Sequence, residues 1–179
     1  MQKKRIVITG GPGTGKSSVI KDLETQGFPC LHEVSREITL EAQKQGIEQL
    51  FLDKPLLFSE KLLEARVNQH IHAKDLLEEV IFLDRGIPDV VAYMEYFGTT
   101  YPHKFTKACQ DYTYTKIFLM PPWKEIYKTD NERYESFEQA LLIHDYLKKA
   151  YLNYGYEPIE VPKISVEDRS DFILSNLER

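Results

Sequence analysis

The sequence predicts an α/β fold, a parallel sheet covered by helices on both faces. Three observations carry this. Short apolar runs rich in β-branched and aromatic residues recur at 5–9, 80–84 and 116–120. Segments of helical length lie between them. Glycine or proline stands at most of the joins. Strands alternating with helices need βαβ crossovers, which place helices over both faces of a parallel sheet. The chain has 179 residues, and at about 150 residues per domain this is one domain, expected to span 1–179.

Arg5-Ile6-Val7-Ile8-Thr9 reads as a buried strand ending at Gly10-Gly11-Pro12-Gly13. A helix over 16–25 follows, closed by Gly27. Residues 29–33 form a weaker strand, and a helix over 34–45 ends at Gly46. Asp53-Lys54-Pro55 marks a helix start with proline in the first turn. No break signal follows until the next strand, so one long helix is expected over 55–79. Val80-Ile81-Phe82-Leu83-Asp84 is the clearest strand. Residues 88–97 form a helix stopped by Gly98, and 99–113 is mixed, with one short helix. A fourth strand at 116–120 ends at Pro121-Pro122. Residues 123–133 are polar and charged and read as a mobile, lid-like segment near 123–135. Ala140, Ile143, Leu147 and Tyr151 mark one helical face. Residues 158–161 form a fifth strand and 165–177 the closing helix, where Ser165 and Asp168 resemble a capping box.

Composition narrows the function. With 42% hydrophobic and 28% charged residues, the chain is an ordinary globular one rather than disordered. No apolar run approaches the 18 or so residues of a membrane helix. The basic start at Lys3-Lys4-Arg5 runs into an apolar stretch too short for a secretion signal, so no membrane partner and a cytoplasmic location are expected. Cys30 and Cys109 are too few for a disulfide framework and read as buried thiols. A net charge of −5 argues against nucleic acid as the main partner, since a phosphate backbone calls for a basic face. An anionic ligand must be held by a local site.

That site is legible. Gly10-Gly11-Pro12-Gly13-Thr14-Gly15-Lys16-Ser17 matches G-x-x-x-x-G-K-[ST], with a strand leading in and a helix leading out. Glycines let backbone N–H groups turn inward toward phosphate oxygens. The helix adds its positive end. Gly11, Pro12, Gly13, Thr14, Gly15, Lys16, Ser17 and Ser18 are therefore the expected nucleotide-binding residues. Lys16 reaches the outer phosphates, and Ser17 ligates Mg²⁺. Asp84, at the end of a strand expected beside the first, is the second metal candidate.

The residue after Asp84 discriminates between P-loop classes. AAA+ motors usually carry Asp-Glu there, whereas this chain has Asp84-Arg85-Gly86. It resembles the Asp/Glu-Arg-x element of nucleoside and thymidylate kinases, in which the arginine touches substrate or phosphates. Glu33, at the end of the second strand, suits a group that takes the proton from an acceptor hydroxyl. Arg36 is one helical turn further on. Arg66, with Asn68, Gln69 and Phe58, lies on the helix expected to line an acceptor pocket. Lys124, Lys128 and Arg133 sit in the lid-like segment, where Arg133 would close on the transferring group. Lys16, Glu33, Asp84, Arg85 and Arg133 are thus the catalytic candidates, and Glu33, Arg36, Arg66 and Arg85 the acceptor-binding ones. His70-x-His72 lacks metal-ligand spacing on a helix. No Cys or His cluster suggests zinc.

These stretches, with Glu33-Val34-Ser35-Arg36, Asp84-Arg85-Gly86-Ile87-Pro88-Asp89, Leu119-Met120-Pro121-Pro122-Trp123 and Val161-Pro162, resemble the NadR-type AAA domain family. That is the group sharing the ribosylnicotinamide kinase domain of NadR. The resemblance implies a three-layer, nucleoside-kinase-like P-loop NTPase fold with five parallel strands ordered 2-3-1-4-5. It implies ATP or GTP at residues 10–17, with Mg²⁺. Two functions stay open at this point. One is a kinase acting on a nucleoside, nucleotide or ribosylnicotinamide-like acceptor. The other is an ATP/GTP-binding NTPase switch that signals to a protein. A closed acceptor cavity lined by Glu33, Arg36 and Arg85 would favour the first.

Overall fold

The computed structural model describes residues 3–48, 50–127 and 135–177. Strand β1 (Lys4–Gly10) leads through the glycine loop into α1 (Lys16–Thr25), and β2 (Cys30–Leu31) is followed by α2 (Ser35–Lys44), α3 (Leu50–Asp53) and α4 (Pro55–His72). Then come β3 (Val80–Asp84), α5 (Ile87–Tyr96), α6 (Lys104–Asp111), β4 (Lys116–Met120), α7 (Phe137–Asn153), β5 (Ile159–Glu160) and α8 (Val166–Ser175). The five strands pair in parallel in the order β2-β3-β1-β4-β5.

The two-residue period of β1 sorts the core into two layers. Ile6 and Ile8 join Val19, Ile20 and Leu23 of α1 and Ile173 of α8 on one face. Val7 points to the other face, among Ile87, Val90 and Met94 of α5 and Tyr151 of α7. This alternation aims the strand ends as well. Thr9 follows Val7 toward α5 and bonds Asp89, while Asp84 follows Phe82 toward α1 and pairs with Lys16. Both chemically active ends of the central strands therefore open at the same edge of the sheet.

The helix ends obey local chemistry where local chemistry is present. Ser136 and Gln139 make a reciprocal capping box at α7. At α8 the Ser165 hydroxyl accepts from the Asp168 N–H and donates to the Asp168 carboxylate, so only half of the expected box forms. The long helix expected over 55–79 is shorter. It ends at His72, although Leu76-Leu77-Glu78-Glu79 would continue a helix by propensity. The chain has to turn to lay Val80 beside Lys4. The Lys3 ammonium takes the freed carbonyls of Lys74 and Leu76. Tertiary pairing overrides propensity here. Helix α3 went unforeseen.

Residues 123–127, expected to be mobile, form a hydrogen-bonded turn, with Ile126 N–H on Trp123 C=O and Tyr127 N–H on Lys124 C=O. Burial pushes both cysteine thiols up to about 12, so they stay protonated. None of the helices in the described residues is long and apolar enough to cross a membrane.

Candidate active site

The phosphate loop is built from backbone. Gly13 (φ 70°) and Gly15 (φ 76°) lie in the left-handed region, where a side chain is strained. The Thr14 hydroxyl donates to Gly11 C=O at 3.1 Å and closes the loop on itself. Helix α1 starts at Lys16 with no side-chain cap and no acid in its first turn. Its orphan N–H groups are left for an anion. Ser17 and Ser18 are exposed there. The Lys16 ammonium is buried against Asp84. Burial, and next the Arg85 charge, press its pKa below the ordinary lysine value, with Asp84 acting against them.

Two further groups close around the loop. The Tyr127 ring covers Gly13 so tightly that a Cβ there would fall 2.3 Å from it. The Arg169 guanidinium donates to Thr14 C=O at 3.2 Å and lies 5.5 Å from the centre of the Trp123 ring.

The second half of the site is a network of charged side chains. Glu33 accepts from the N–H groups of Val34 (3.0 Å) and Ser35 (3.2 Å) at the start of α2. It also pairs with Arg66, and with Arg85 at 2.5 Å. Burial raises its pKa, but Arg66, Arg85 and Lys16 together outweigh that and hold it at about 2. Arg66, with a side chain 3% exposed, donates to Asp84 C=O at 2.7 Å as well. It clamps the end of β3 to Glu33. Arg85 has φ 73°, a left-handed backbone rare for a residue with a side chain. Its guanidinium meets Glu33 through Nε, Asp89 through Nη1 at 3.2 Å, and the Tyr93 ring at 5.4 Å.

Glu33, Arg66, Arg85 and Asp89 line a cleft of about 650 Å³. Its lining joins Pro12 of the phosphate loop and the charged Glu33, Arg66, Arg85 and Asp89 with Phe51, Phe58, Leu62, Tyr93, Met94 and Phe97. Phe51 makes edge-to-face contacts with Phe58 (5.6 Å) and Phe97 (5.0 Å). The lining combines charged with apolar and aromatic side chains, Arg85 lying against the Tyr93 ring, as in sites that orient a small molecule.

The structure thus brings Lys16, Asp84, Glu33, Arg66 and Arg85 together. Arg36 is exposed on α2 and does not line the cleft. Arg66 belongs to the charged network rather than standing ready as an isolated cation. Gln69 bonds His32 C=O at 2.6 Å, and Asn68 lines a separate groove on the far side of α4. Arg133 and Lys128 lie outside the described residues. Sequence reasoning gave no role to Asp89, Phe51, Leu62 or Met94. Tyr93 and Phe97 also help wall the cleft.

A glycine loop with two left-handed turns, leading into an uncapped helix beside the Lys16–Asp84 pair, defines a P-loop nucleotide-binding protein. The chain belongs to the AAA domain family, whose pattern it matches over residues 5–169. It is 38% identical to a dephospho-CoA kinase of Helicobacter pylori over 86 residues, 44% of this chain and 42% of that protein. It is 36% identical to a UPF0200 protein of Thermococcus kodakarensis over 89 residues, 48% of this chain and 45% of that one. These matches span less than half the length of either relative. Among solved structures, deoxyadenosine kinase from M. mycoides with bound dATP is similar at TM-score 0.69 and 17% identity, covering 98% of this chain and 100% of that one. A NadR protein in complex with NR is similar at TM-score 0.73 and 16% identity, covering 99% of this chain and 50% of that one. At such identities the likeness is one of fold.

Proposed function

We propose that the chain is a cytoplasmic, Mg-ATP-dependent small-molecule kinase whose acceptor is a hydroxyl of a nucleoside-like molecule. The observation that carries this reading is the continuity of the cleft. One cavity is lined by Pro12 of the phosphate loop, by Glu33, Asp89, Arg66 and Arg85, and by the rings of Phe51, Phe58, Tyr93 and Phe97. A planar ring suits the faces of Phe58, Tyr93 and Phe97. A hydroxyl on its sugar then reaches Glu33 next to the phosphate loop.

Charge favours a hydroxyl over a phosphate acceptor. Among the described residues lining the cleft, Arg66 and Arg85 stand against Glu33, Asp89 and Glu135. Both arginines are already engaged by carboxylates, so among the described residues that line the cleft an incoming phosphate monoester would meet no uncompensated cation. An uncharged or cationic acceptor fits better.

Transfer then needs mainly positioning and charge neutralisation. Lys16 leaves Asp84 for the outer phosphates of ATP (or GTP). Ser17 and Asp84, both hard oxygen donors, are the residues that would hold Mg²⁺. The ion would neutralise charge on the β- and γ-phosphates. Glu33 holds the acceptor hydroxyl by a hydrogen bond. Its low proton affinity makes it an orienting acceptor that takes the proton late, not a strong base. Arg85 faces the charge that develops between donor and acceptor.

The test is ATP turnover with Mg²⁺ in the presence and absence of pooled nucleosides, nucleotides and ribosylnicotinamide. Acceptor-dependent ADP release with a product heavier by one phosphoryl group is the expected result. Slow turnover indifferent to every acceptor would overturn the reading in favour of an NTPase switch.

A further inference from the structure

The mechanism above leaves Asp89 unused, yet its buried carboxylate, on a residue 2% exposed, gathers four donors. Oδ1 accepts from the Thr9 hydroxyl at 2.6 Å and from Arg85 Nη1 at 3.2 Å. Oδ2 accepts from Gly86 N–H at 2.9 Å and from the Tyr151 hydroxyl. Capping α5 accounts for the Gly86 bond alone. The other three tie together places that are distant in sequence. Thr9 is the residue before the glycine loop, Arg85 lies in the cleft, and Tyr151 is on α7. Asp89 itself lines the cleft. Arg85 sits on a left-handed backbone, a conformation that persists only when its surroundings over-determine it. Glu33 fixes one edge of its guanidinium and Asp89 another.

We propose that Asp89 is a positioning residue for phosphoryl transfer. It fixes the Arg85 guanidinium at the acceptor and ties it to β1 directly ahead of the phosphate loop. Donor and acceptor halves are thereby held in one frame. The kinetic part of this inference rests on the kinase reading.

Asp89→Asn keeps the volume but sets an amide N–H₂ against donors. It should lower kcat about 100-fold, the scale of a misplacement near 1 Å, while ATP affinity changes less than about threefold. Thr9→Val and Tyr151→Phe each remove one neutral donor and leave the carboxylate on Arg85, so their kcat should fall less than about tenfold. Equal losses in all three variants, or a loss of ATP affinity matching that of kcat, would mean a structural role only and overturn the proposal. Should Asp89→Asn not fold, Asp89→Glu serves in its place, with the charge kept and displaced. A kcat at least about tenfold below wild type is expected, and one within about threefold would overturn the proposal.

A second readout needs no turnover. The Arg85 Nη1–H resonance, the one that faces Asp89, is assigned by its loss in Arg85→Lys and should exchange slowly in the wild-type protein and in Thr9→Val. It should exchange rapidly in Asp89→Asn. Unchanged exchange in Asp89→Asn would overturn the positioning role even if no acceptor were ever phosphorylated. Acceptor-independent turnover in the wild type, with the resonance behaving as expected, would instead remove the kinase reading alone.

Discussion

The phosphate loop and the acceptor cleft meet at Pro12 but are built differently. The loop is local. Residues 10–18 supply its glycines, its cation and the start of its helix, and its chemistry is mostly backbone. The cleft is assembled from α2, α3, α4 and α5 together with Pro12 and Glu135. Its chemistry is carried by side chains that neutralise one another across long stretches of sequence. Glu33 meets Arg66 and Arg85, and Arg85 meets Asp89. Lys16 apart, which pairs with Asp84, a substitution in the loop removes a contact to a ligand. One in the cleft also takes a partner from a group within the protein.

Lys16→Ala is expected to have the largest effect. It removes the cation aimed at the outer phosphates, and turnover should fall about 10³-fold. Unchanged turnover would break the assignment of the loop as donor site. Glu33→Gln comes next. It should slow transfer about 100-fold while nucleotide affinity moves less than about threefold. Equal losses in both would erase the distinction between the two regions.

Arg66→Met tests the internal debt of the cleft. Taking one of its two arginines from Glu33 and the donor from Asp84 C=O should destabilise the fold by about 2 kcal/mol, the scale for a buried group that loses its hydrogen-bond partner. Urea unfolding reads this, and a change under about 1 kcal/mol would place Arg66 with ordinary surface pairs.

The smallest effect is on acid stability. Glu33 is held at about 2 in the folded protein, below the ordinary carboxylate range near 4.5. Its contribution is fully present above that range and is lost as pH falls toward 2. Glu33→Gln should therefore flatten the fall of stability between about pH 4.5 and 2. An unchanged acid profile would mean that the arginines do not hold this carboxylate.

The same contrast explains what the sequence disclosed. The loop could be read because its signal is contiguous: Gly13 and Gly15 adopt the left-handed backbone that the motif demands. Strands β1, β3 and β4 were legible from apolar runs bounded by breakers. Asp84 was found because it ends β3, and Glu33 and Arg85 because they closely follow β2 and β3. Asp89 was hidden, because an aspartate in the first turn of a helix after Gly86 looks like a cap. Phe51 and Leu62 carry no local mark that separates a cleft wall from core. Arg36 was placed by its spacing from Glu33, but α2 turns it to solvent. The end of α4 was invisible because Lys3, 71 residues from Lys74, supplies the stop.

The central claim is that the cleft takes a hydroxyl acceptor, and a paired competition tests it most directly. One nucleoside and its own 5′-monophosphate are offered together with ATP and Mg²⁺, and the products are weighed. Phosphorylation of the nucleoside, with the monophosphate left untouched, is the predicted result. Conversion of the monophosphate to a diphosphate, with the nucleoside left untouched, would contradict it.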